Sequence, residues 1–481
     1  MTTVIDHTKS NETPPSLYEG RKQIYPKLAH GKFRMVKWIV MAVTLGIYYV
    51  LPWIRWPRGE GIPDQAVLAD FDGEKFYFFW FEIWPQELYY LAGLLIIGAL
   101  GLFLVTSLFG RAWCGYTCPQ TVWTDLYIWV ERAFEGDRAA RMRLDAQPWS
   151  FNKAWRKIGK HIIWLVIAFW TGGAFVLYWH DAPTVAKGWF TGEAPLTAYF
   201  FAGILTFTTY FLAGWMREQV CTYMCPWPRI QGALTDENAL NVTYRFDRGE
   251  PRGPHRKNES WEGRGDCIDC KQCVQVCPMG IDIRDGAQLE CIHCALCIDA
   301  CDDIMKKIGR PTGLIAYDTD VAVADRAAGR KPTYKIFRVR TMLYAALMLI
   351  IASMVGFGYF NKSTFEVNVL KDRSPPFVRL SDGDIRNGYT LKLVNKAASK
   401  RHVAIEIEGL DGATLQMVGL ETESDGTVEL DLNGHGVSRF RMLVTRSSDD
   451  TSPRVDYTVL VRDTETGEVE DAAAVFVQGG N

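Results

Sequence analysis

The 481-residue sequence has almost no net charge, because 53 basic residues nearly balance 55 acidic ones and leave a formal charge of −2. Proteins that bind nucleic acid usually carry a basic excess, so this composition argues against a nucleic-acid partner. Charge is also missing from five long apolar stretches, which excludes a single soluble globule. Intrinsic disorder is excluded as well, since 48% of the residues are hydrophobic and 13% are aromatic.

Two further signals are missing from particular parts of the chain. The first 30 residues lack the apolar core of a cleavable signal peptide, so the first apolar stretch is expected to be an uncleaved anchor. Cysteine is absent after residue 301, which excludes a disulfide framework in the C-terminal region. The 12 cysteines all precede that point and call for another explanation.

The five apolar stretches predict a membrane protein with five transmembrane helices. A helix needs about 20 apolar residues to cross the hydrocarbon layer, and each stretch is near that length. Lys and Arg are concentrated before the first stretch and in 110–161 and 217–340, which places these parts in the cytoplasm and 361–481 outside. The predicted spans are residues 38–54, 88–109, 162–179, 196–216 and 341–360.

Eight of the cysteines repeat one spacing twice, in the pattern of a bacterial two-cluster ferredoxin. The two runs are Cys267, Cys270, Cys273 and Cys277, and Cys291, Cys294, Cys297 and Cys301. In such runs the fourth cysteine binds the other cluster, so Cys301 is assigned to the first [4Fe-4S] cluster and Cys277 to the second. A zinc site is the alternative, but one tetrahedral ion needs only two cysteine pairs. Asp302 stands where a proline commonly follows the fourth cysteine.

The other four cysteines form two copies of a Cys-x-Tyr-x-Cys-Pro motif, here called the CxxxCP copies. They are Cys114 and Cys118, and Cys221 and Cys225. Each copy follows the cytoplasmic end of a span, which predicts an internal repeat of two helical hairpins, 36–135 and 158–240. Thiolates favour Cu(I) and iron–sulfur clusters over harder ions, so the four could form one metal site. Four buried structural thiols are the alternative.

Other polar residues allow weaker interpretations. Residues 119–134 have the pattern of an amphipathic helix lying on the membrane surface. His293 lies inside the second cluster run and is expected to tune or shield that cluster. His161 and His180 lie at opposite membrane faces, which argues against a haem between them. The basic segment from Arg245 to Lys257 is interpreted as a solvated linker, with lipid headgroups as an alternative partner.

The C-terminal region changes to period-two patterning separated by turn signals such as Asn433-Gly434. About seven short strands predict an immunoglobulin-like β-sandwich without its cysteine pair. The region offers no set of metal ligands, so it is interpreted as a docking module or a structural cap. The predicted strands are residues 365–369, 389–394, 402–408, 427–432, 438–444, 455–462 and 473–478.

This order of parts resembles the CcoG/FixG/RdxA family, which are membrane polyferredoxins of cbb3-type cytochrome c oxidase assembly. The resemblance covers essentially the whole chain, and the combined order is more specific than the ferredoxin motif alone. It implies a protein of the bacterial inner membrane that reduces Cu(II) to Cu(I) for the oxidase. It also implies oxidase assembly factors and copper carriers or transporters as partners, with the CxxxCP cysteines as a copper site.

Two other functions remain open at this point: a quinol dehydrogenase in which the helical bundle binds quinone, and an assembly scaffold whose clusters sense redox state. No flavin or dinucleotide motif identifies the cytoplasmic electron donor. The predicted domains are the N-terminal segment 1–35, the four-helix membrane region 36–240, the ferredoxin domain 241–337, the fifth helix 338–361 and the β-sandwich 362–481.

Overall fold

The structure is a computed structural model that describes residues 23–59, 62–71, 73–256, 259–397, 399–420, 426–447 and 453–478. The chain forms two compact units, Met1–Val355 and Gly356–Asn481. The first unit is mainly helical and contains every cysteine, whereas the second is a β-structure. The boundary falls inside the last apolar helix, so that helix belongs mostly to the first unit.

The first unit is built from fourteen described α-helices and five short strands. Two π-helical segments, Tyr210–Met216 and Val220–Met224, flank Arg217. The helices are α1 Lys32–Val50, α2 Leu88–Phe109, α3 Ala112–Tyr116, α4 Pro119–Glu135, α5 Arg138–Ala146, α6 Phe151–Val176, α7 Ala182–Thr191, α8 Leu196–Thr209, α9 Trp227–Leu234, α10 Phe246–Gly249, α11 Gln272–Val276, α12 Leu296–Lys307, α13 Asp320–Ala327 and α14 Val339–Phe360. The strands are β1 Val67–Asp70, β2 Lys75–Phe78, β3 Phe81–Ile83, β4 Asn241–Tyr244 and β5 Ile315–Asp318.

Five helical segments are long and apolar enough to cross a membrane, in agreement with the sequence. The third, α6, begins at Phe151 rather than at residue 162. Ser150 caps it by accepting a hydrogen bond from the Lys153 amide, and its lysines find partners in the protein. Because the first turns of α6 are charged, the sequence alone places them in the preceding loop. The five segments are Lys32–Trp53, Leu88–Phe109, Phe151–Val176, Leu196–Met216 and Val339–Phe360.

Helix α4 does not have the geometry of a helix lying flat on the membrane, so that interpretation was wrong. It runs antiparallel along α6: the Tyr127 hydroxyl donates to the Trp164 carbonyl and the Trp164 indole donates to the Tyr127 carbonyl. Nearer its start, the Trp123 indole donates to Thr171. Its acidic side chains turn inward because buried cations on neighbouring helices pair with them.

The ferredoxin segment is tied to the membrane helices by its own side chains. Asp299 on α12 accepts hydrogen bonds from the backbone amides of Phe33 and Arg34, which are the orphan donors at the start of α1. Strands β4 and β5 pair antiparallel at the edge of this segment. Arg245 and Arg248 bind the buried carboxylates of Asp318 and Asp266. The solvated-linker interpretation was therefore wrong for these two arginines, and Lys257 lies outside the described residues.

The second unit is a two-sheet β-sandwich. One sheet has the order β10-β12-β8-β6, with β7 also paired to β8, and the other has the order β11-β9-β13-β14. Tyr389 donates across the sandwich to the Val475 carbonyl, within a core of fully buried side chains from both sheets. The strands are β6 Phe365–Lys371, β7 Val378–Arg379, β8 Ile385–Asn395, β9 Arg401–Glu408, β10 Ala413–Met417, β11 Val428–Leu432, β12 Gly436–Arg446, β13 Arg454–Asp463 and β14 Val469–Val477.

All seven strands expected in this unit are present, and two were missed. β7 is only two residues long and carries little pattern. β10 does alternate, since Leu415 and Met417 are buried while Thr414 and Gln416 are exposed. Period-two patterning could have identified β10.

Candidate metal centres

The structure brings the ferredoxin cysteines together in two groups of four. The first group lines a cavity whose other walls include Tyr244, Ile315 and Arg284. Burial raises the pKa of Cys301, and the neighbouring thiols of this group raise it further. The group consists of Cys267, Cys270, Cys273 and Cys301.

The second group lines another small cavity together with Met279, Ile283 and His293. Cys273 also reaches this cavity, so the two groups are adjacent. Burial raises the pKa of Cys297 well above its usual value, and the thiols of Cys294, Cys291 and Cys277 add to the effect. The group consists of Cys277, Cys291, Cys294 and Cys297. The structure thus groups the fourth cysteine of each run with the first three of the other run, as the sequence predicts. Which thiol binds which iron stays a prediction.

The donor set of both groups fits a [4Fe-4S] cluster. Buried thiols need a cationic centre to become thiolates, and burial raises the pKa of Cys277 and Cys291 to about 12. Backbone N–H groups of Ile281, Met279 and Gly280 nevertheless point to Cys277 and favour its ionised form. Iron would supply the missing positive charge, and the cluster would then carry single electrons.

The four CxxxCP thiols also lie close to one another. Burial raises the pKa of Cys114 to about 12, with contributions from Cys118, Cys221 and Cys225. Burial likewise raises the pKa of Cys221 to about 12, with contributions from Cys118 and Cys225. The two copies of the motif therefore meet in one place.

Within the described part of the chain, no three His, Cys, Asp or Glu side chains meet at the spacing of one metal ion. This result does not conflict with the ferredoxin groups, because each thiolate of a cubane binds a different iron. Cu(I) accepts low coordination numbers, so a copper site here would need only some of the CxxxCP thiols.

The two CxxxCP copies hold each other in position through glutamines. The Cys114 thiol donates to the Gln231 side chain at 3.1 Å, and Gln231 belongs to the helix that follows the second copy. Gln120, on the helix after the first copy, donates to the carbonyls of Leu212 and Arg217. Each copy is thus anchored to the helix or turn of the other.

The first CxxxCP copy packs directly on the loop that carries the second cysteine group. A Cβ atom on Gly115 would lie 2.6 Å from the Ile292 carbonyl oxygen and 3.0 Å from the Cys294 Cα. Cys114 shares a buried apolar cluster with Ile292, Cys294 and Leu296. The Tyr116 hydroxyl also donates to the Cys294 carbonyl at 3.3 Å. Cys114 therefore adjoins the second group and not the first.

Both copies contain the same backbone kink, four residues before the first cysteine. Gly110 has φ 55° and ψ −124°, and Arg217 has φ 44° and ψ −112°. A Cβ on Gly110 would lie 2.2 Å from the Asn241 Oδ1 and 2.8 Å from the His293 Nδ1. The first kink therefore requires glycine for space as well as for its backbone angle.

Arg217 extends its guanidinium group into a buried network of charges around Glu131. The carboxylate of Glu131 is 2% exposed and pairs with Arg217 at 3.0 Å, Arg141 at 2.7 Å and Lys160 at 3.4 Å. Burial alone would raise the pKa of Glu131, but Arg217 and Lys160 together lower it to about 2. The second kink is thus tied to α4 and α6 by ion pairs.

A cavity of about 600 Å³ adjoins this network. Trp149, Trp164 and Trp215 supply aromatic walls, and three lysines of α6 line another side. His161 stacks on Trp215, with ring centroids 5.7 Å apart, and hydrogen bonds to the Tyr210 hydroxyl at 2.9 Å. Arg217 and Glu218 line this cavity and also a smaller one that contains Cys221, so the large cavity lies next to the CxxxCP thiols.

Three residues beside the candidate centres have clear structural partners. Asp302 accepts a hydrogen bond from the Gly313 amide at 2.7 Å, so it secures the chain where proline is common. His293 accepts from the Arg111 amide at 3.0 Å, and burial lowers its pKa to about 4. Arg111 was missed at the sequence level because only the fold brings it to the second group.

Three family models match the chain. A 4Fe-4S dicluster domain matches residues 216–320, and a 4Fe-4S binding domain matches residues 91–135. The Ig-like fold at the C-terminus of FixG, whose description also names an oxidoreductase, matches residues 355–479. These matches identify an iron–sulfur redox protein with an Ig-like C-terminal unit.

Curated relatives extend over most of the chain. Nitrogen fixation protein FixG of Rhizobium meliloti is 50% identical over 457 residues, which cover 89% of this chain and 87% of that protein. Protein RdxA of Cereibacter sphaeroides is 46% identical and covers 95% of this chain and 97% of its own length. Protein RdxB of the same organism is 47% identical, covering 96% of this chain and 94% of RdxB. The chain is therefore a membrane iron–sulfur protein that belongs to the FixG family, together with RdxA and RdxB.

Proposed function

We propose that this protein transfers single electrons to Cu(II) and releases Cu(I) for assembly of a cbb3-type cytochrome c oxidase. Copper is the substrate: each Cu(II) takes up one electron and becomes Cu(I). The clusters supply one-electron carriage when bound at the two ferredoxin groups. The CxxxCP thiols would receive the copper, since thiolates stabilise Cu(I) over Cu(II).

One observation carries this proposal: the Cys114 segment lies against the Ile292–Cys294 loop of the second cysteine group. A thiol pair that only stabilised a helix end would not need this close backbone approach. The contact instead gives an acceptor at Cys114 a short path from the second cluster. Electrons would enter at the first group, from a cytoplasmic donor, and leave at the second.

The proposed setting is the bacterial inner membrane, with five crossings, a cytoplasmic N-terminus and a periplasmic β-sandwich. The basic residues before α1 and between α2 and α6 support this orientation. The sandwich would dock an oxidase assembly factor or a copper carrier, because its described residues include no cysteine and no cluster of metal ligands. Reporter fusions after residues 147, 193 and 478 would test the orientation.

The decisive experiment is anaerobic and uses the full-length protein in detergent. The clusters are reduced with dithionite, excess reductant is removed, and Cu(II) is added with a chromogenic chelator of Cu(I). We expect one Cu(I) to form for each cluster electron lost, with cluster bleaching and Cu(I) formation at the same rate. Clusters that stay reduced while Cu(II) persists would contradict the proposal.

Matched double variants locate the copper site. The Cys114→Ser/Cys118→Ser variant removes the pair beside the second group, and the Cys221→Ser/Cys225→Ser variant removes the other pair. Copper reduction should be lost in the first variant with the ferredoxin clusters retained. Full reduction by both variants would exclude the CxxxCP thiols as the acceptor.

The match of residues 91–135 to a 4Fe-4S binding domain favours one rival occupant of these thiols, namely a third cluster. Iron analysis distinguishes the two, because a third cluster adds iron that both double variants lose. Copper held by the thiols leaves the iron content of the variants at the wild-type value. The same samples therefore serve both tests.

Quinol oxidation is a second candidate function, and the cavity beside α6 is the observation that favours it. Its tryptophan walls and the His161–Tyr210 pair could hold an aromatic headgroup, and it adjoins Cys221 through Glu218. Cluster reduction by an added short-chain quinol, lost in a His161→Phe variant, would support this function. The assembly-scaffold function has its own test. If the protein is a scaffold, a variant in which all eight ferredoxin cysteines are replaced should still support oxidase assembly.

A further inference from the structure

Arg111 is a buried cation without a close carboxylate partner among the described residues. Its side chain is 6% exposed, and no Asp or Glu in the described part of the chain lies within ion-pair distance. Its guanidinium group donates instead to backbone carbonyls, at 2.7 Å to Pro228, at 3.4 Å to Cys291 and also to Leu289. Glu290 is an acid whose charge acts on Arg111.

An arginine in this position is costly unless negative charge lies nearby. Burying a charge without a counter-charge costs several kcal/mol, and carbonyl dipoles recover only part of that, about 1.5–3 kcal/mol for each hydrogen bond to a charged group. Most buried arginines of the first unit avoid the cost through carboxylates, as Arg141 does with Glu131. Arg111 therefore needs a counter-charge of another kind.

The second cysteine group can supply that charge. A [4Fe-4S] cluster with four thiolates is an anion, and it gains one more negative charge on reduction. The guanidinium group of Arg111 donates to the Cys291 carbonyl of this group, and Arg111 stands three residues before Cys114 of the first CxxxCP copy. It thus adjoins both the proposed electron donor and the proposed acceptor.

We propose that Arg111 is a positioning residue that raises the reduction potential of the second cluster above the value it would otherwise have. Its positive charge favours the more negative, reduced form, and its hydrogen bonds hold the loop against the Cys114 segment. The electron is thereby drawn toward the cluster that adjoins the CxxxCP thiols. This inference rests on the iron–sulfur function proposed above and not on copper as the substrate.

The first cluster has a different electrostatic environment. Arg284 lines its cavity, but two carboxylates compensate it: Asp282 at 2.5 Å and Asp269 at 2.5 Å. Arg284 is thus a carboxylate-paired arginine beside the first group, where Lys271 also lines the cavity, whereas Arg111 beside the second group has only carbonyl partners among the described residues. Arg284 therefore supplies a matched control arginine.

A redox titration of the full-length protein, followed by EPR of the reduced clusters, measures both potentials. In Arg111→Gln we expect one potential to fall, by at least a tenfold change in the reduced-to-oxidised ratio, which is about 59 mV for one electron. The other potential should stay at the wild-type value. Arg284→Gln should move that other potential only, which assigns the two signals.

Two more variants keep the inference testable if Arg111→Gln loses its clusters. Glu290→Gln removes the nearby acid from a half-buried site and should raise the same potential that Arg111→Gln lowers. Arg111→Lys retains the charge and should shift that potential less than the glutamine variant does. Unchanged potentials in Glu290→Gln and in every cluster-containing Arg111 variant would overturn the inference.

The inference and the proposed function fail in different ways. Shifted potentials in a protein that does not reduce copper would leave Arg111 with its role and remove the cupric activity. Normal copper reduction with unchanged potentials would support the cupric activity and remove the role of Arg111.

Discussion

The two CxxxCP copies have the same motif and the same backbone kink, yet different residues occupy the kink. The first copy places Gly110 there, pressed against His293 and Asn241 of the ferredoxin segment. The second places Arg217 at nearly the same φ and ψ and uses its side chain to bind Glu131. The repeat therefore preserves a backbone shape, while each kink is adapted to its own neighbour.

The difference assigns separate tasks to the two copies. The first faces the cluster-binding loop, where Gly115 allows backbone-to-backbone contact and Arg111 binds carbonyls. The equivalent of Gly115 in the second copy is Thr222, whose hydroxyl donates to the Glu218 carbonyl within its own turn. In the proposed electron path the first copy receives the electron, whereas the second copy is held to α4 through the ion pair of Arg217 with Glu131.

The largest expected effect comes from breaking the buried charge network that binds Arg217 of the second CxxxCP copy. Glu131→Gln leaves Arg217 and Arg141 with a neutral partner in a buried site, whereas Lys160 keeps its ion pair with Glu135. Losing one member of a buried ion pair costs about 3–5 kcal/mol. Thermal unfolding in detergent should show a markedly lower midpoint for the variant, with the β-sandwich unit unaffected.

The pH dependence of that variant has a defined sign. The pKa of Glu131 is about 2 in the folded protein, below its ordinary value of about 4.3. The stabilisation by the ionised carboxylate is therefore complete above about pH 4.3 and is lost as the pH falls toward 2. The difference in midpoint between wild type and Glu131→Gln should shrink over that interval, and a constant difference would contradict the assigned pairing.

A smaller effect should follow from adding a side chain at the contact of the first copy. Gly115→Val would place carbon atoms against the Ile292 carbonyl, and overpacking of this kind costs about 1–3 kcal/mol. Slower copper reduction with full cluster content is the expected result. The matched change in the second copy, Thr222→Val, should retain the wild-type rate, and equal slowing in both would argue against separate tasks.

The two kinks can be compared directly with alanine. Gly110→Ala introduces a Cβ 2.2 Å from Asn241 Oδ1 and also places a side chain at φ 55°, at a backbone cost of about 1–2 kcal/mol. Arg217→Ala adds no backbone strain, since the position already carries a side chain, but it removes one of three partners of Glu131. We expect Gly110→Ala to perturb the EPR signal of the second cluster and Arg217→Ala to leave it unchanged.

The smallest expected effect concerns the glutamines that join the copies. Gln231→Leu removes the acceptor of the Cys114 thiol, and one hydrogen bond of this kind contributes about 1 kcal/mol. The reactivity of Cys114 toward a thiol-labelling reagent should rise, while that of Cys118 changes less. Gln120→Leu provides the control, because it loosens the kink of the second copy without contacting Cys114.

The sequence predicts much of this arrangement, because the spacing of the cysteines and the length of the apolar stretches are local features of the chain. The double ferredoxin run, the two CxxxCP copies and the five apolar stretches each have a local signature. The contacts of Arg111, Gly115 and His293 have none, since Arg111 and His293 lie 182 residues apart in the chain. Their roles depend on a long-range approach that no periodicity encodes.

Helix α4 illustrates a second limit. An amphipathic pattern predicts a helix with one polar face, and it does not say whether that face meets water or buried cations. Here Asp125 pairs with Arg34, and Glu131 with Arg141, both inside the protein. The same pattern was therefore compatible with a surface helix and with the antiparallel partner of α6.

The bond between Asp299 and the first turn of α1 has a consequence for how the protein is made. The amide of Arg34 leaves the ribosome 265 residues before its acceptor does. Asp299 lies between Cys297 and Cys301 on α12, so the residue that caps α1 is synthesised together with cysteines of both ferredoxin groups. The first apolar helix can therefore receive its final cap only after the ferredoxin segment has been synthesised.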